Sequence, residues 1–377
     1  MKRLAQIVAL VVVTPFLSCS NKDIAPRTEP IYTPRYAKGF TIERDKTSGA
    51  KFLVVKNPWQ GAEGAIFCTK IDTLAPPKRI VAMSSSHAAM LDAVGCTDRI
   101  VGLSGCRYIY TPTIRQAIAE GKISEIGYDS AFDFEKISLL NTDIVLLYGV
   151  AGEAKQITSK LEELAIPYIY IGDYIESEPL GKAEWLVAIA SLCGEEEQGK
   201  KLFAEIEARY NALREMVKGS IKRPRVMLNL PYRDTWFMPP YNSYMVRLIE
   251  DAGGEYILTE NGKRKTENEK RKTKNENSST AISLEEALEM ALQCDYWINL
   301  GQIASMRELQ AVVPHFAKVD AVRKGRIYNN TKRTNESRGS DFWESGAVRP
   351  DIILADLVKI LHHDYPTDSL YYYKKME

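Results

Sequence analysis

Residues 79–104 read RIVAMSSSHAAMLDAVGCTDRIVGLS. The first five are an apolar run of buried-strand length, and Ser84, Ser85 and Ser86 follow with hydroxyls and loosely held backbone N–H groups. From His87 to Val94 the Ala, Met, Leu and Val residues fall at helical spacing, and Gly95 stands where a helix-ending residue belongs. Residues 100–103 resume the strand pattern. A strand–helix–strand unit puts the end of its strand and the start of its helix at one edge, and open α/β sheets bind ligands at that edge.

Downstream the alternation continues. Residues 143–150 (DIVLLYGV) are a strongly apolar strand, 157–164 a helix and 167–172 (PYIYIG) another strand. Upstream, residues 39–55 alternate apolar and polar positions around Lys46-Thr-Ser-Gly49, which reads as a β-hairpin. Beyond residue 172 the pattern changes. Residues 180–193 read as one amphipathic helix closed by Gly194. Residues 195–218 read as a longer helix with Leu202, Phe203, Ile206, Tyr210, Leu213 and Val217 on one stripe. At about 1.5 Å per residue this helix is about 36 Å long, enough to cross from one lobe to another. Strand patterns restart at 225–230, 236–238, 296–300 and 326–328, and 351–362 reads as a terminal helix. The expected fold class is α/β, with two Rossmann-like lobes joined by one long helix. The N-terminal lobe is expected over 36–175, the helical segment over 176–219 and the C-terminal lobe over 220–377.

The chain opens on Met1-Lys-Arg3 and an almost wholly apolar stretch at 4–17, too short for a comfortable membrane span. Residues 1–18 read as a secretory signal peptide. The ending Phe16-Leu-Ser-Cys19 resembles a bacterial lipoprotein processing site, with Cys19 as the lipidated residue; an ordinary cleaved leader is the alternative. Residues 19–35, polar and carrying Pro26, Pro30 and Pro34, read as a tether. The expected location is the periplasm, as an exported, membrane-anchored lipoprotein. Lys and Arg number 50 against 49 Asp and Glu, a net charge of +1 that argues against nucleic-acid binding. Setting Cys19 aside leaves Cys68, Cys96, Cys106, Cys193 and Cys294, an odd number, with no CxxC to suggest zinc or redox chemistry. Cys96 and Cys106 flank one strand and are placed either to pair or to remain buried thiols. Residues 261–279 (NGKRKTENEKRKTKNENSS) hold seven basic and three acidic residues and nothing apolar, so a disordered basic surface insertion is expected.

Four blocks, in this order around the long helix, resemble the periplasmic solute-binding proteins of ABC importers for iron–siderophores, haem and cobalamin. They are residues 77–84 (PKRIVAMS) running on to Gly95 and 100–102, residues 132–146 (FDFEKISLLNTDIVL), residues 234–256 closing on Ala252-Gly-Gly-Glu255, and residues 282–288 (ISLEEAL) leading to the strand at 296–300. The resemblance spans about 76–362 and implies the class III binding-protein fold. It also implies a non-enzymatic role: capture of a metal chelate between the lobes and delivery to an ABC importer permease. In the family one surface Glu per lobe meets Arg on the permease, and the matching positions are Glu135 and Glu285.

Metal chelates are held through aromatic faces and guanidinium groups, which supply area and charge without stripping the metal. The candidate cleft residues are Ser85, His87, Arg107, Tyr108, Tyr128 and Tyr148 from the first lobe and Arg233, Trp236, Arg338 and Trp343 from the second. Three arginines together would neutralise a trianionic ferric catecholate, so a ferric siderophore-type chelate is the first expectation, with cobalamin and haem as alternatives. No cofactor, no direct metal ligand and a monomeric state are expected; for His87 a hydrogen-bonding role at a helix start is preferred over ligation. The competing class is an exported lipid-anchored hydrolase. Ser84–86 beside His87 invite that reading, but there is no GxSxG and no third partner.

Overall fold

The structure, a computed structural model, describes residues 28–128, 131–149, 154–258, 279–362 and 370–377. The leader, Cys19, residues 20–27 of the tether, Asp129 and residues 261–278 of the basic insertion lie outside the described residues.

Four antiparallel strands come first, paired in chain order: β1 (Thr28–Tyr32), β2 (Phe40–Asp45), β3 (Lys51–Lys56) and β4 (Ile66–Ile71). The expected hairpin is β2–β3. Asp45 closes its turn by accepting the N–H groups of Thr47 at 3.0 Å and Ser48 at 2.7 Å, and Gly49 supplies the left-handed residue at φ +72°. Phe40, Ile42, Leu53 and Val55 point inward, as a period of two requires. The tether reading over 19–35 is corrected at its end, because Thr28–Tyr32 pairs with β2. Pro30 sits on the edge strand beside a register shift, where a proline is tolerated and the strand pattern is hard to see.

The first lobe follows as β5 (Ile80–Ala82), α1 (Ser85–Ala93), β6 (Ile100–Leu103), α2 (Pro112–Ala119), β7 (Ser124–Glu125), the short pair β8 (Gly127–Tyr128) and β9 (Ala131–Phe132), α3 (Phe134–Leu139), β10 (Ile144–Leu147), α4 (Ala154–Glu163) and β11 (Tyr168–Tyr170). Its five-stranded sheet is parallel throughout, in the order β11-β10-β5-β6-β7. Ser84 caps α1 by accepting the Ser86 N–H at 3.3 Å, and Gly95 ends it at φ +73°. Two helices then leave the lobe, α5 (Pro179–Leu192) and α6 (Glu196–Val217). The second lobe comprises β12 (Arg225–Leu228), β13 (Thr235–Met238), α7 (Tyr244–Asp251), β14 (Glu255–Tyr256), β15 (Thr280–Ser283), α8 (Leu284–Ala291), β16 (Tyr296–Ile298), α9 (Met306–Val312), α10 (Asp320–Arg323), β17 (Ile327–Asn329), α11 (Ser345–Val348), α12 (Pro350–Leu361) and β18 (Lys374–Lys375). Its sheet runs β14-β12-β16-β17-β18, parallel except for β18, while β13 and β15 pair apart from it.

The bridging helix is α6. Near its start Glu196 pairs with Lys51 at 3.1 Å and Gln198 donates to the Val94 carbonyl at 3.2 Å. Further along, Arg209 pairs with Asp351 at 2.8 Å and the Tyr210 hydroxyl donates to Asp251 at 2.6 Å. Phe203, Ile206, Tyr210 and Val217 of the expected stripe are buried. Gly199 has no β-carbon because Ala190 of α5 occupies that space. The amphipathic reading of 180–193 is corrected: α5 is buried on all sides, with Lys182 its one partly exposed residue, so its pattern is that of an interior helix.

One charged residue of α5 is fully buried. The Glu184 carboxylate accepts the Tyr32 hydroxyl at 2.8 Å and the N–H groups of Arg35 at 2.9 Å, Tyr36 at 2.8 Å and Ala37 at 2.9 Å. It pins the segment after β1 to the centre of the molecule. Glu184→Ala leaves these donors without their acceptor, and we expect a loss of about 3 kcal/mol, read as a lower urea midpoint at unchanged slope.

Candidate functional site

In the first sheet β5 lies between β10 and β6, so the chain order reverses there and the loops leaving these strands part to form a crevice. The loops after β16 and β17 face it from the second lobe. The cleft between them has a volume of about 740 Å³, inside the roughly 300–1,000 Å³ usual for small-molecule sites. Met83, Ser84 and Ser85 enter it after β5, Ser104, Gly105 and Tyr108 after β6, and Tyr148 after β10. Gly301 and Gln302 enter after β16, and Asn330, Thr331 and the loop through Trp343 after β17. Tyr128 and Phe132 add a further aromatic face.

The walls are aromatic and hydroxyl-bearing. The rings of Tyr108 and Tyr128 are 5.1 Å apart, and Tyr148 lies 4.5 Å from Tyr174. Trp343 is 52% exposed and is braced edge-on by Phe342 at 4.7 Å, so a large apolar face stands ready in the cleft. Burial, reinforced by the charge of Asp173, pushes the Tyr148 hydroxyl up to about 12, so it meets a ligand as a neutral donor at neutral pH. Arg338 is the one cation among the described lining residues, and no carboxylate or imidazole joins it there.

Of the ten expected cleft residues, Ser85, Tyr108, Tyr128, Tyr148, Arg338 and Trp343 line the cleft. Four do not. His87 is fully buried beneath the floor, its Nε2 3.4 Å from Asp173 Oδ1 and its ring 6.2 Å from that of Tyr148. Burial alone would raise the Asp173 carboxyl, but hydrogen bonding to His87 and the charges of Lys182 and His87 outweigh it and hold it below its usual range. His87 turns to this carboxylate rather than to a serine, so the serine–histidine arrangement of a hydrolase does not form. Trp236 is fully buried in the second lobe, donating its indole N–H to the Leu228 carbonyl at 3.0 Å and packing on Trp297 and Phe316. Arg107 is exposed and folds over the Tyr108 ring at 4.6 Å, outside the lining. Arg233 lies over Tyr232 at 5.3 Å, also outside it. The expected three-arginine cluster is therefore not assembled. The sequence pattern does not single out Gln302, Asn330 and Thr331, although Asn330 and Thr331 follow directly on β17 and Gln302 stands four residues beyond β16.

A direct clamp joins the walls on one side. The buried Glu344 carboxylate accepts the N–H groups of Tyr110 at 2.8 Å and Thr111 at 2.9 Å across the lobes. Asn335 donates to the carbonyls of Arg107 and Ile109, both at 2.9 Å. Gly339 rests on the Tyr108 backbone so closely that a β-carbon there would lie 2.6 Å from Tyr108 Cα. Burial pushes the Glu344 carboxyl above its ordinary value.

The sequence model of a family described as periplasmic binding protein matches residues 80–334. An uncharacterised lipoprotein of Methanocaldococcus jannaschii is 27% identical over 298 residues, which cover 76% of this chain and 66% of that protein. Among solved structures, a periplasmic heme binding protein from Pseudomonas aeruginosa superposes with a TM-score of 0.58 at 16% identity, covering 80% of this chain and 98% of its own. An ABC-type Fe3+-hydroxamate transport system protein from Saccharomonospora viridis does so with a TM-score of 0.54 at 17% identity, covering 78% and 96%. At these identities the structural likeness fixes the fold and leaves the ligand to the cleft.

Proposed function

The chain belongs to the periplasmic binding protein family, and from that premise we propose that it captures a ferric siderophore-type chelate of low net charge in the inter-lobe cleft and hands it to an ABC importer permease. It is a solute-binding protein and not an enzyme. The observation that carries the ligand reading is the lining, which among the described residues has five aromatic residues, a set of hydroxyls and amides, and Arg338 as its one cation. A trianionic catecholate would bring three charges to one guanidinium, and the two propionates of haem would compete for it. A neutral or singly charged chelate, its metal already saturated, matches the aromatic faces and the neutral donors. Cobalamin is the second reading, because Gln302 and Asn330 offer partners to amide substituents. The lipoprotein relatives and the Cys19 signature support an exported, membrane-anchored location, and among the described residues no helix is long and apolar enough to cross a membrane. Delivery rests on Glu135 and Glu285 as the permease contacts.

The test is a fluorescence titration of the purified protein with a neutral ferric hydroxamate, a ferric catecholate, cobalamin and haem. Quenching should be tightest with the hydroxamate, and Trp343→Ala should weaken that binding by about tenfold through loss of its stacking face. Tighter binding of the catecholate would overturn the low-charge reading, and no response to any of the four would overturn chelate capture.

A further inference from the structure

The loop between β3 and β4, residues 57–65, belongs to the N-terminal four-stranded sheet and precedes the residues 80–334 that the family model matches. Its shape is set from within. Asn57 takes φ +48°, its N–H donates to the Ala65 carbonyl at 2.9 Å, and its Oδ1 accepts the Gly64 N–H at 2.8 Å. The Trp59 carbonyl accepts the Ala62 N–H at 3.0 Å. The Trp59 ring lies 5.7 Å from that of Phe67 in β4 and 4.9 Å from that of Tyr170 at the end of β11, and those two rings are 4.6 Å apart. Two glycines receive the loop. A β-carbon on Gly149 would lie 3.1 Å from Trp59 Cε3, and one on Gly172 would lie 3.3 Å from Pro58 Cα. Gly149 directly follows Tyr148, and Gly172 stands two residues before Tyr174. The loop therefore rests on both segments that carry the Tyr148–Tyr174 ring pair.

We propose that Trp59 is a positioning residue for the ligand site: it holds the chain at Tyr148 and Gly149, and through it sets the Tyr148 ring in the cleft wall. Tyr148 lines the cleft and is 38% exposed, so its ring needs support from the protein side. That support has two parts. The Tyr174 ring packs on Tyr148 at 4.5 Å, while the Tyr174 hydroxyl donates to the Gly149 carbonyl. Trp59 closes over Gly149, where a side chain would crowd its ring. A half-exposed tyrosine without such backing samples several rotamers, and binding then bears the entropy of fixing one of them. Held in advance, Tyr148 is a pre-formed aromatic face. The inference rests on the proposed capture of a chelate in this cleft, but the ring geometry it invokes can be read without any ligand.

The first readout is the nuclear Overhauser cross-peak between the Tyr148 and Tyr174 rings in tyrosine-labelled protein, with the Tyr148 signals assigned by their loss in Tyr148→Phe. Trp59→Ala should lose this cross-peak, and the conservative Trp59→Phe should keep it. The second is titration with a neutral ferric hydroxamate. Trp59→Ala should weaken binding about fivefold and Trp59→Phe less than about twofold. Added to Tyr148→Ala, Trp59→Ala should cause no further loss, whereas with Trp343→Ala the two losses should multiply. A merely structural role for Trp59 would not distinguish these two partners. Gly149→Ala disturbs the same contact from the other side and supplies the same readouts should Trp59→Ala fail to fold. A cross-peak that persists in the folded variant, or losses at Trp59 and Tyr148 that multiply, overturns the proposal. If the hydroxamate does not bind, the hydroxamate reading falls separately and the cross-peak decides the role of Trp59.

Discussion

Uptake should fall to background when Glu135 and Glu285 are both replaced by Ala, while chelate affinity measured on the purified double variant stays within about twofold of the parent. The expectation rests on a repeated local design. In the first lobe Asp133 caps α3 by accepting the Lys136 N–H at 2.9 Å, and in the second Ser283 caps α8 by accepting the Glu286 N–H at 3.2 Å. An apolar residue follows each cap, Phe134 or Leu284, and the glutamate comes next. Each helix then leads into a central strand of its lobe sheet, β10 or β16. Both glutamates are exposed, in a first turn where the helix dipole favours a carboxylate. Two such carboxylates on rigid elements would let a permease with matching cations read the spacing of the lobes. Each single variant should keep partial uptake, since one contact remains. Normal uptake in the double variant would remove these residues from docking, and loss of chelate binding would place them in the cleft instead.

How much of this could be read beforehand depended on whether burial followed from local pattern. Residues 79–104 folded as read because every signal in them agrees: apolar strand, Ser84 cap, helical spacing and Gly95 stop. The stripe on α6 was equally plain. Legibility failed where a side chain's surroundings are set by distant segments. Arg107 and Arg233 are both absorbed by tyrosines adjacent to them in the chain, a local choice that removes them from the cleft. Trp236 opens the strand pattern at 236–238 and was expected in the cleft, yet its partners Trp297 and Phe316, which fix it in the core, lie more than 60 residues away. Glu184, Asp173 and Glu344 are buried carboxylates that composition assigns to the surface, because the backbone donors to Glu184 and Glu344, and the His87 and Lys182 charges beside Asp173, come from elsewhere in the fold. The expected three-arginine cluster fails for the same reason: of Arg107, Arg233 and Arg338, only Arg338 lines the cleft.

Gly339→Val should weaken chelate binding by at least a hundredfold, about 2.7 kcal/mol, together with a loss of stability of about 1–3 kcal/mol. A β-carbon at Gly339 would overlap the Tyr108 carbonyl, and all three nearest atoms are backbone, so no rotamer change relieves it. The loop carrying Gly339 is also held from within. Its N–H donates to Asn335 Oδ1 at 2.8 Å, and its carbonyl accepts the Asn335 N–H at 2.9 Å. The overlap must therefore lift the whole segment between Asn335 and Trp343 off the first lobe, parting Arg338 and Trp343 from Tyr108 and Tyr128. Gly219→Ala, where a β-carbon meets nothing within 4 Å, is the control and should leave binding unchanged. Acid should act in the opposite direction. Burial raises the Glu344 carboxyl in the clamped state, so the clamp gains stability as pH falls through that raised value and gains no more below the ordinary glutamate value of 4.5. Parent affinity should accordingly rise on mild acidification, and a Gly339→Val protein, its clamp already parted, should lose that dependence. An unchanged affinity in Gly339→Val would mean that the two walls grip the ligand without the Tyr108 contact.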